Sequence, residues 1–180
     1  MRNLSGTKTE RNLREAFAGE SMAHTKYRYY YEKAKQDGYE QIAAIFKETA
    51  HNEKEHAEIW FKILHDDEMP ATLPNLNDAA EGEHLEWTDM YARMAEEARE
   101  EGFQDIAIQF ENVAKIEKEH EERYRKLIQN VEGGMVFSKE GDIIWQCRNC
   151  GHIHIGKTAP MACPVCKKPQ AYFQEKANNY

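Results

Sequence analysis

Two segments of the chain end on the same chemistry-bearing residues. AKQDGYEQIAAIFKETAHNEKEHAE, from Ala34, and AREEGFQDIAIQFENVAKIEKEHEE, from Ala98, agree at eleven of twenty-five positions and both finish on Glu-x-x-His. The pattern also occurs at Glu48/His51 and Glu81/His84, and an isolated match on a charged helix is usually a solvated face. The repeat selects two of the four. A shift of 64 residues carries Glu53 and His56 onto Glu117 and His120, but Glu48/His51 onto Asn112/Lys115, while Glu81/His84 fall back on Phe17/Glu20. A carboxylate three residues before an imidazole shares its helix face. Two such pairs, with one Glu from each of two further helices, are the ligand set of a carboxylate-bridged di-iron site inside a four-helix bundle.

A second cluster is built from sulfur. All four cysteines fall between Cys147 and Cys166, as Cys147-x2-Cys150, twelve residues, then Cys163-x2-Cys166. This is the spacing of one tetrahedral tetrathiolate site, and spacing alone leaves zinc and iron both open. A segment this short needs some metal to fold. Gly151 lets backbone amides approach the sulfurs, which tunes a redox potential, and Trp145, Tyr172 and Phe173 are available for a small core.

The elements that must position these groups follow from the punctuation of the sequence. Helix formers dominate from Thr7 to Val131, with breaks at Gly38, at Met69 to Pro74 and at Gly102. Four long helices are expected, in two hairpins whose turns sit at Gly38 and Gly102, joined by a longer connection from Asp66 to Asn77. One long crossover is the ferritin-like arrangement. Beyond Gly133-Gly134, the MVF and DIIW segments read as short strands. The expected architecture is an all-α ferritin-like four-helix bundle over 1–133, followed by a small β/knuckle metal domain over 134–180.

Helical periodicity then points the carboxylates inward. The stripes are Leu13, Phe17, Glu20, His24, Tyr27 and Tyr31; Ile42, Phe46, Thr49, Glu53, His56, Trp60 and Ile63; and Ile106, Phe110, Val113, Glu117, His120, Tyr124 and Leu127. Each carries a carboxylate at the centre of an apolar face, and burying it unpaired would cost several kcal/mol, so cations belong there. Iron ions, hard and tolerant of imidazole, satisfy this. In the third helix the repeat puts Glu20 opposite His84, one residue beyond Glu83, and a one-residue π-bulge would restore the register. Glu86 adds a carboxylate where the first half has Ala23. The candidate ligands are Glu20, Glu53, His56, Glu83, Glu86, Glu117 and His120. His24 reads as core or as a partner to the ligands, and Tyr27 and Tyr91 as hydrogen-bond donors to the carboxylates or as packing.

The whole-chain numbers set bounds. With 180 residues, 41% hydrophobic and 31% charged, the chain can bury one full core and carry a small module. A net charge of -8 argues against nucleic acid and anionic membrane surfaces. No apolar run reaches bilayer length, and MRNLSGTKTERNL has no apolar signal-peptide core. A cytoplasmic location is expected, in which clustered cysteines bind metal.

With GES at Gly19 to Ser21, NEKEH at Asn52 to His56, GEHLEWTDMY at Gly82 to Tyr91, EKEHEERY at Glu117 to Tyr124 and CRNCGHIHIGKTAPMACPVCKKPQAYF, the chain resembles the rubrerythrin family along essentially its whole length. The resemblance implies a rubredoxin-type iron on Cys147, Cys150, Cys163 and Cys166. It also implies a non-haem di-iron centre bridged by Glu53 and Glu117, with Glu20 terminal on one iron, Glu83 and His120 on the other, and His56 exchanging with Glu86 between redox states. The implied activity is two-electron reduction of hydrogen peroxide to water. The rubredoxin-type iron would return electrons from an external donor, a rubredoxin-like carrier or an NAD(P)H-dependent reductase, since no Gly-rich dinucleotide motif is present. His152 and Lys167 depart from the usual rubredoxin pattern of an aromatic and a Gly, which bears on the potential. From Glu117 to Val131 is about 21 Å of helix, so a head-to-tail homodimer would bring the module beside the partner's iron pair. The rival readings are a ferritin-like ferroxidase and iron store, which makes no use of the cysteine module; a zinc-ribbon interaction module, which leaves the inward carboxylates unexplained; and dioxygen activation for substrate oxidation, against which Glu86 counts because it occupies coordination space.

Overall fold

The computed structural model describes residues 3–178. Helix α1 spans Lys8–Gln36 and α2 spans Glu40–Leu64. The third helix runs as α3, Thr72–Leu85, a π-helical turn, Glu86–Met90, and α4, Tyr91–Glu100. Helix α5 spans Gln104–Glu132. Strands β1, Ser138–Cys147, β2, Ile153–Thr158, and β3, Phe173–Glu175, form an antiparallel sheet in the order β2-β1-β3. The chain divides into two compact units, Met1–Pro70 and Ala71–Tyr180. The four expected helices and the small strand module are those of a ferritin-like fold followed by a rubredoxin-like one.

Helix ends fall where the sequence supplies caps. Thr7 caps α1 by accepting from the Glu10 amide at 3.1 Å, and the Glu10 carboxylate reaches back to the Gly6 amide at 2.8 Å, which satisfies two otherwise orphaned donors. At Gly38 (φ 85°) and Gly102 (φ 90°) the backbone turns left-handed. The Tyr39 and Phe103 amides there bond back to Ala34 and Ala98 at 2.9 and 2.8 Å, the Schellman closure that an αL residue permits.

The first unit is the α1–α2 hairpin. Its fully buried α2 residues are Ala43, Ala50 and Ala57, spaced by seven, a seam of small side chains that lets two helices approach closely. The inward stripe expected from periodicity lies beside this seam and is only partly covered, with Ile42 48% exposed. A two-helix contact buries one narrow strip of each helix, and alanine takes that strip because it brings the backbones nearest. In the second unit α5 follows suit, with Ala107, Glu121 and Ile128 buried and Ile106 and Leu127 largely exposed.

Three expectations are corrected. The connection between the hairpins ends by Ala71, since Pro74 and Asn77 already lie in α3; proline is tolerated in a first turn because its missing N–H had no helical partner. The MVF segment is not a strand: only DIIW is in β1, and the Phe137 carbonyl instead accepts from the Ala159 amide. Tyr172 is exposed, under the Lys168 ammonium at 5.1 Å, while Trp145, Phe173, Cys147 and Cys163 make the module's core.

The cysteine knuckles are related turns, Cys150-Gly151-His152 and Cys166-Lys167-Lys168. Gly151 has φ 78° and Lys167 φ 62°, so the second knuckle forces a side-chain-bearing residue into the left-handed region at a cost of about 1–2 kcal/mol. Replacing Lys167 by Gly therefore raises the stability of the module by about 1 kcal/mol, after the entropy that glycine adds to the unfolded chain; thermal unfolding of the metal-loaded protein measures it, and a lower midpoint would contradict it.

Candidate metal centres

Each helical hairpin presents one triad of ligand atoms lying within 4.8 Å of one another: Glu20, Glu53 and His56 in the first unit, and Glu83, Glu117 and His120 in the second. The two are built alike. His56 Nδ1 lies 2.9 Å from Glu53 and 3.8 Å from Glu20; His120 Nδ1 lies 2.7 Å from Glu117 and 3.7 Å from Glu83. Among the described residues no Lys or Arg pairs with these four carboxylates; histidine is their only ionic partner. Burial, then the negative charge of Glu117, push the Glu83 carboxyl above its ordinary range. Oxygen-rich donor sets with one imidazole suit a hard first-row cation such as iron, and the raised Glu83 is what a carboxylate shows when it is partly buried and has like charges beside it.

The other Glu-x-x-His matches go elsewhere. His51 lies near Glu55 at 3.9 Å, and His84 pairs with Glu121. His24 hydrogen-bonds through Nδ1 to the Ala50 carbonyl at 2.7 Å, tying α1 to α2 at the alanine seam. Glu86 opens the π turn and acts electrostatically on Glu83 and Tyr91. Tyr91 packs against Phe110 with ring centres 6.0 Å apart, as Tyr27 does against Phe46 at 6.2 Å. Burial first, then Glu86, Glu117 and Glu83, hold the Tyr91 phenol protonated beyond its usual range.

The four cysteines are free thiols whose sulfurs gather in one cluster. The Cys147–Cys166 and Cys150–Cys163 sulfurs are 3.7 and 3.6 Å apart, close to the edge of about 3.8 Å of a tetrahedron with metal–sulfur bonds of about 2.3 Å, and far beyond disulfide length. The cluster fits a tetrathiolate metal. The knuckle amides of His152 and Lys168 point at the Cys150 and Cys166 sulfurs. The Lys168 amide helps bring Cys166 down to about 6, whereas Cys150, despite the His152 amide, is pushed up to about 12 by burial and by the neighbouring thiols.

Sequence periodicity did not reveal Glu121, the one buried charged side chain among the described residues. Its oxygens accept from Trp87 Nε1 at 2.6 Å and Arg125 Nε at 2.5 Å and lie 3.0 Å from His84 Nδ1. Arg125 also reaches Glu81 at 3.2 Å. A signal was present: the repeat places Glu121 opposite Ala57, a charge where the first hairpin has a seam alanine.

A ferritin-like set of helices bearing paired Glu/His triads, followed by a four-cysteine module, defines a two-site non-haem metalloprotein. The rubrerythrin family model matches residues 11–128, and the rubrerythrin rubredoxin-like domain matches residues 145–174. The rubrerythrin of Porphyromonas gingivalis is 48% identical, over 99% of this chain and 95% of its own. Rubrerythrin-1 of Clostridium acetobutylicum is 48% identical over the full length of both, and the rubrerythrin of Nitratidesulfovibrio vulgaris 44% identical over 97% of each. The chain belongs to the rubrerythrin family, with candidate di-iron ligands and a rubredoxin-like four-cysteine site. Among the described residues no helix is long and apolar enough to cross a membrane.

Burial alone would raise the Glu121 carboxyl, but hydrogen bonds from Trp87, Arg125 and His84 outweigh it and bring it to about 2, from an ordinary 4.5. Its ionised form therefore contributes stability that is full above pH 4.5 and is lost as the pH falls toward about 2. Denaturant unfolding across that range shows a flatter acid limb in Glu121→Gln than in the wild type; parallel limbs would contradict this.

Proposed function

We propose that the protein is a non-haem di-iron peroxidase, reducing hydrogen peroxide to water with electrons relayed through a tetrathiolate iron. The observation that carries the reading is that one chain of this family holds two matched carboxylate/imidazole triads together with a thiolate cluster of tetrahedral dimensions. Glu20, Glu53 and His56 would hold one iron and Glu83, Glu117 and His120 the other, with Glu86 available as a further carboxylate ligand. Cys147, Cys150, Cys163 and Cys166 would hold the third. Bound iron supplies the electrons and polarises the oxygens of the substrate.

The chain's own groups supply the rest. Reduction of one peroxide consumes two electrons and two protons and releases two waters. Tyr91, kept protonated by burial and by three carboxylates, can lend its O–H to a departing oxygen. The His152 and Lys168 amides directed at the cysteine sulfurs stabilise negative charge on them, which raises the potential of the cluster and favours accepting electrons from an external carrier or an NAD(P)H-dependent reductase. The functional division is set at 133/134. Four free cysteines suit a reducing compartment, so we assign the protein to the cytoplasm, working as a head-to-tail homodimer.

Protein from iron-fed cells should hold about three irons per chain, with tetrathiolate bands that bleach on full reduction and return rapidly when peroxide is added. Bands that stay bleached would exclude the relay, and uptake of iron with dioxygen into large closed shells would favour the ferroxidase reading. Mixed dimers of a Cys147→Ser chain and a Glu53→Ala chain recover activity if electrons cross between subunits and stay inactive if they do not.

A further inference from the structure

Two features break the internal repeat, and they touch. The first is the π turn, Glu86–Met90; α1, its counterpart, is α-helical throughout Lys8–Gln36. The turn absorbs one extra residue, since Glu20 precedes Tyr27 by seven positions whereas Glu83 precedes Tyr91 by eight. The second is Glu121, a buried carboxylate at the seam position that Ala57 occupies in the first hairpin. Trp87, inside the π turn, donates its indole N–H to Glu121 at 2.6 Å, and His84, one turn earlier, lies 3.0 Å away. The same carboxylate accepts from Arg125, whose other end bonds to Glu81. Glu121 thus holds the helix directly at His84 and Trp87, just after Glu83, and through Arg125 at Glu81, just before it.

Each anomaly answers the other's physical need. A π turn has poorer backbone bonding than an α turn and persists where something holds it; a buried carboxylate requires converging donors. We propose that Glu121 is a positioning residue that locks the third helix in its π register, and so keeps Glu83 and Glu86 on the face shared with Glu117 and His120. This rests on the reading of Glu83, Glu117 and His120 as a metal triad. Relaxation of the turn to α geometry would rotate every residue before it by about 100°, carrying Glu83 off that face. The triad would then keep Glu117 and His120 and lose its third ligand.

The test uses the full chain with the cysteine site first filled with zinc, titrated with Co(II) and followed by visible absorption, alongside hydrogen exchange over residues 83–91. Glu121→Ala is expected to bind Co(II) at this triad about 10–100-fold more weakly, with an altered cobalt spectrum and faster exchange confined to the π turn. Glu121→Gln, which keeps an acceptor for Trp87, recovers part of the loss. A lower unfolding midpoint with wild-type cobalt affinity and spectrum would reduce Glu121 to a stabilising residue and overturn the proposal. Should Glu121→Ala fail to fold, Trp87→Phe, lacking only the hydrogen bond into the turn, decides by the same readings. Wild-type protein taking up no Co(II) beyond the zinc-filled site would instead refute the metal-triad reading itself.

Discussion

Carboxylates are held together with no Lys or Arg paired to them among the described residues, and the helical part of the molecule is organised around that constraint. In each triad two glutamates share a space of 4.8 Å with one imidazole. Two unit charges 4 Å apart repel by about 4 kcal/mol at the effective dielectric of a protein surface, a sizeable fraction of the stability of an ordinary domain. A scaffold that imposes this arrangement must be stiff. Long helices locked by alanine seams, Ala43, Ala50 and Ala57 in one hairpin and Ala107 in the other, provide the stiffness, because small side chains leave little room for the helices to slide or part. The seams leave the adjacent stripe free to carry the glutamates.

The internal repeat underlies the likeness of the two triads, and the departures from it mark where they differ. His56–Glu53 and His120–Glu117 differ by only 0.2 Å in their ion-pair distances, 2.9 against 2.7 Å, as expected of the same local design used twice. The asymmetry is concentrated on the third helix and the segment of α5 facing it, where a π turn, an added carboxylate at Glu86 and the Glu121 network occur together. Two identical triads would present identical sets of donor atoms. The π turn makes the two hairpins differ, with one extra residue between Glu83 and Tyr91.

Much of this was legible in the sequence because it is local. Glu-x-x-His needs only the helical period, the paired Cys-x2-Cys needs only spacing, and Gly38 and Gly102 declare their turns through conformational freedom. The one-residue mismatch between Glu20 and His84 revealed the π turn for the same reason. What could not be read depended on partners distant in the chain. Glu121 is bound by Trp87, 34 positions earlier, and its burial depends on that pairing. Periodicity also chose the apolar stripe over the alanine seam, because hydrophobicity ranks Ile42 and Ile106 above Ala43 and Ala107, whereas close helix approach selects for smallness. Tyr172 failed as a core residue because Phe173 and Trp145 already fill a module of that size, leaving its ring to lie beneath Lys168.

The two kinds of metal site solve the problem of holding charge in opposite ways, and this bears on how the protein folds. In the triads His56 lies 2.9 Å from Glu53 and His120 2.7 Å from Glu117, so these carboxylates have an imidazole partner within their own hairpin. The cysteine module has no such substitute. Cys147 and Cys163 are themselves part of a core that otherwise rests on Trp145, Phe173 and Ala159, too few apolar groups to outweigh the chain entropy of some 40 residues. With Cys166 drawn toward the thiolate and Cys150 driven toward the thiol, thiols packed this closely resist shedding their protons together, and it is a metal that lets all four ionise. A module that depends on metal for its fold makes the tetrathiolate metal a structural one, whereas the triads draw on partners within their own hairpins.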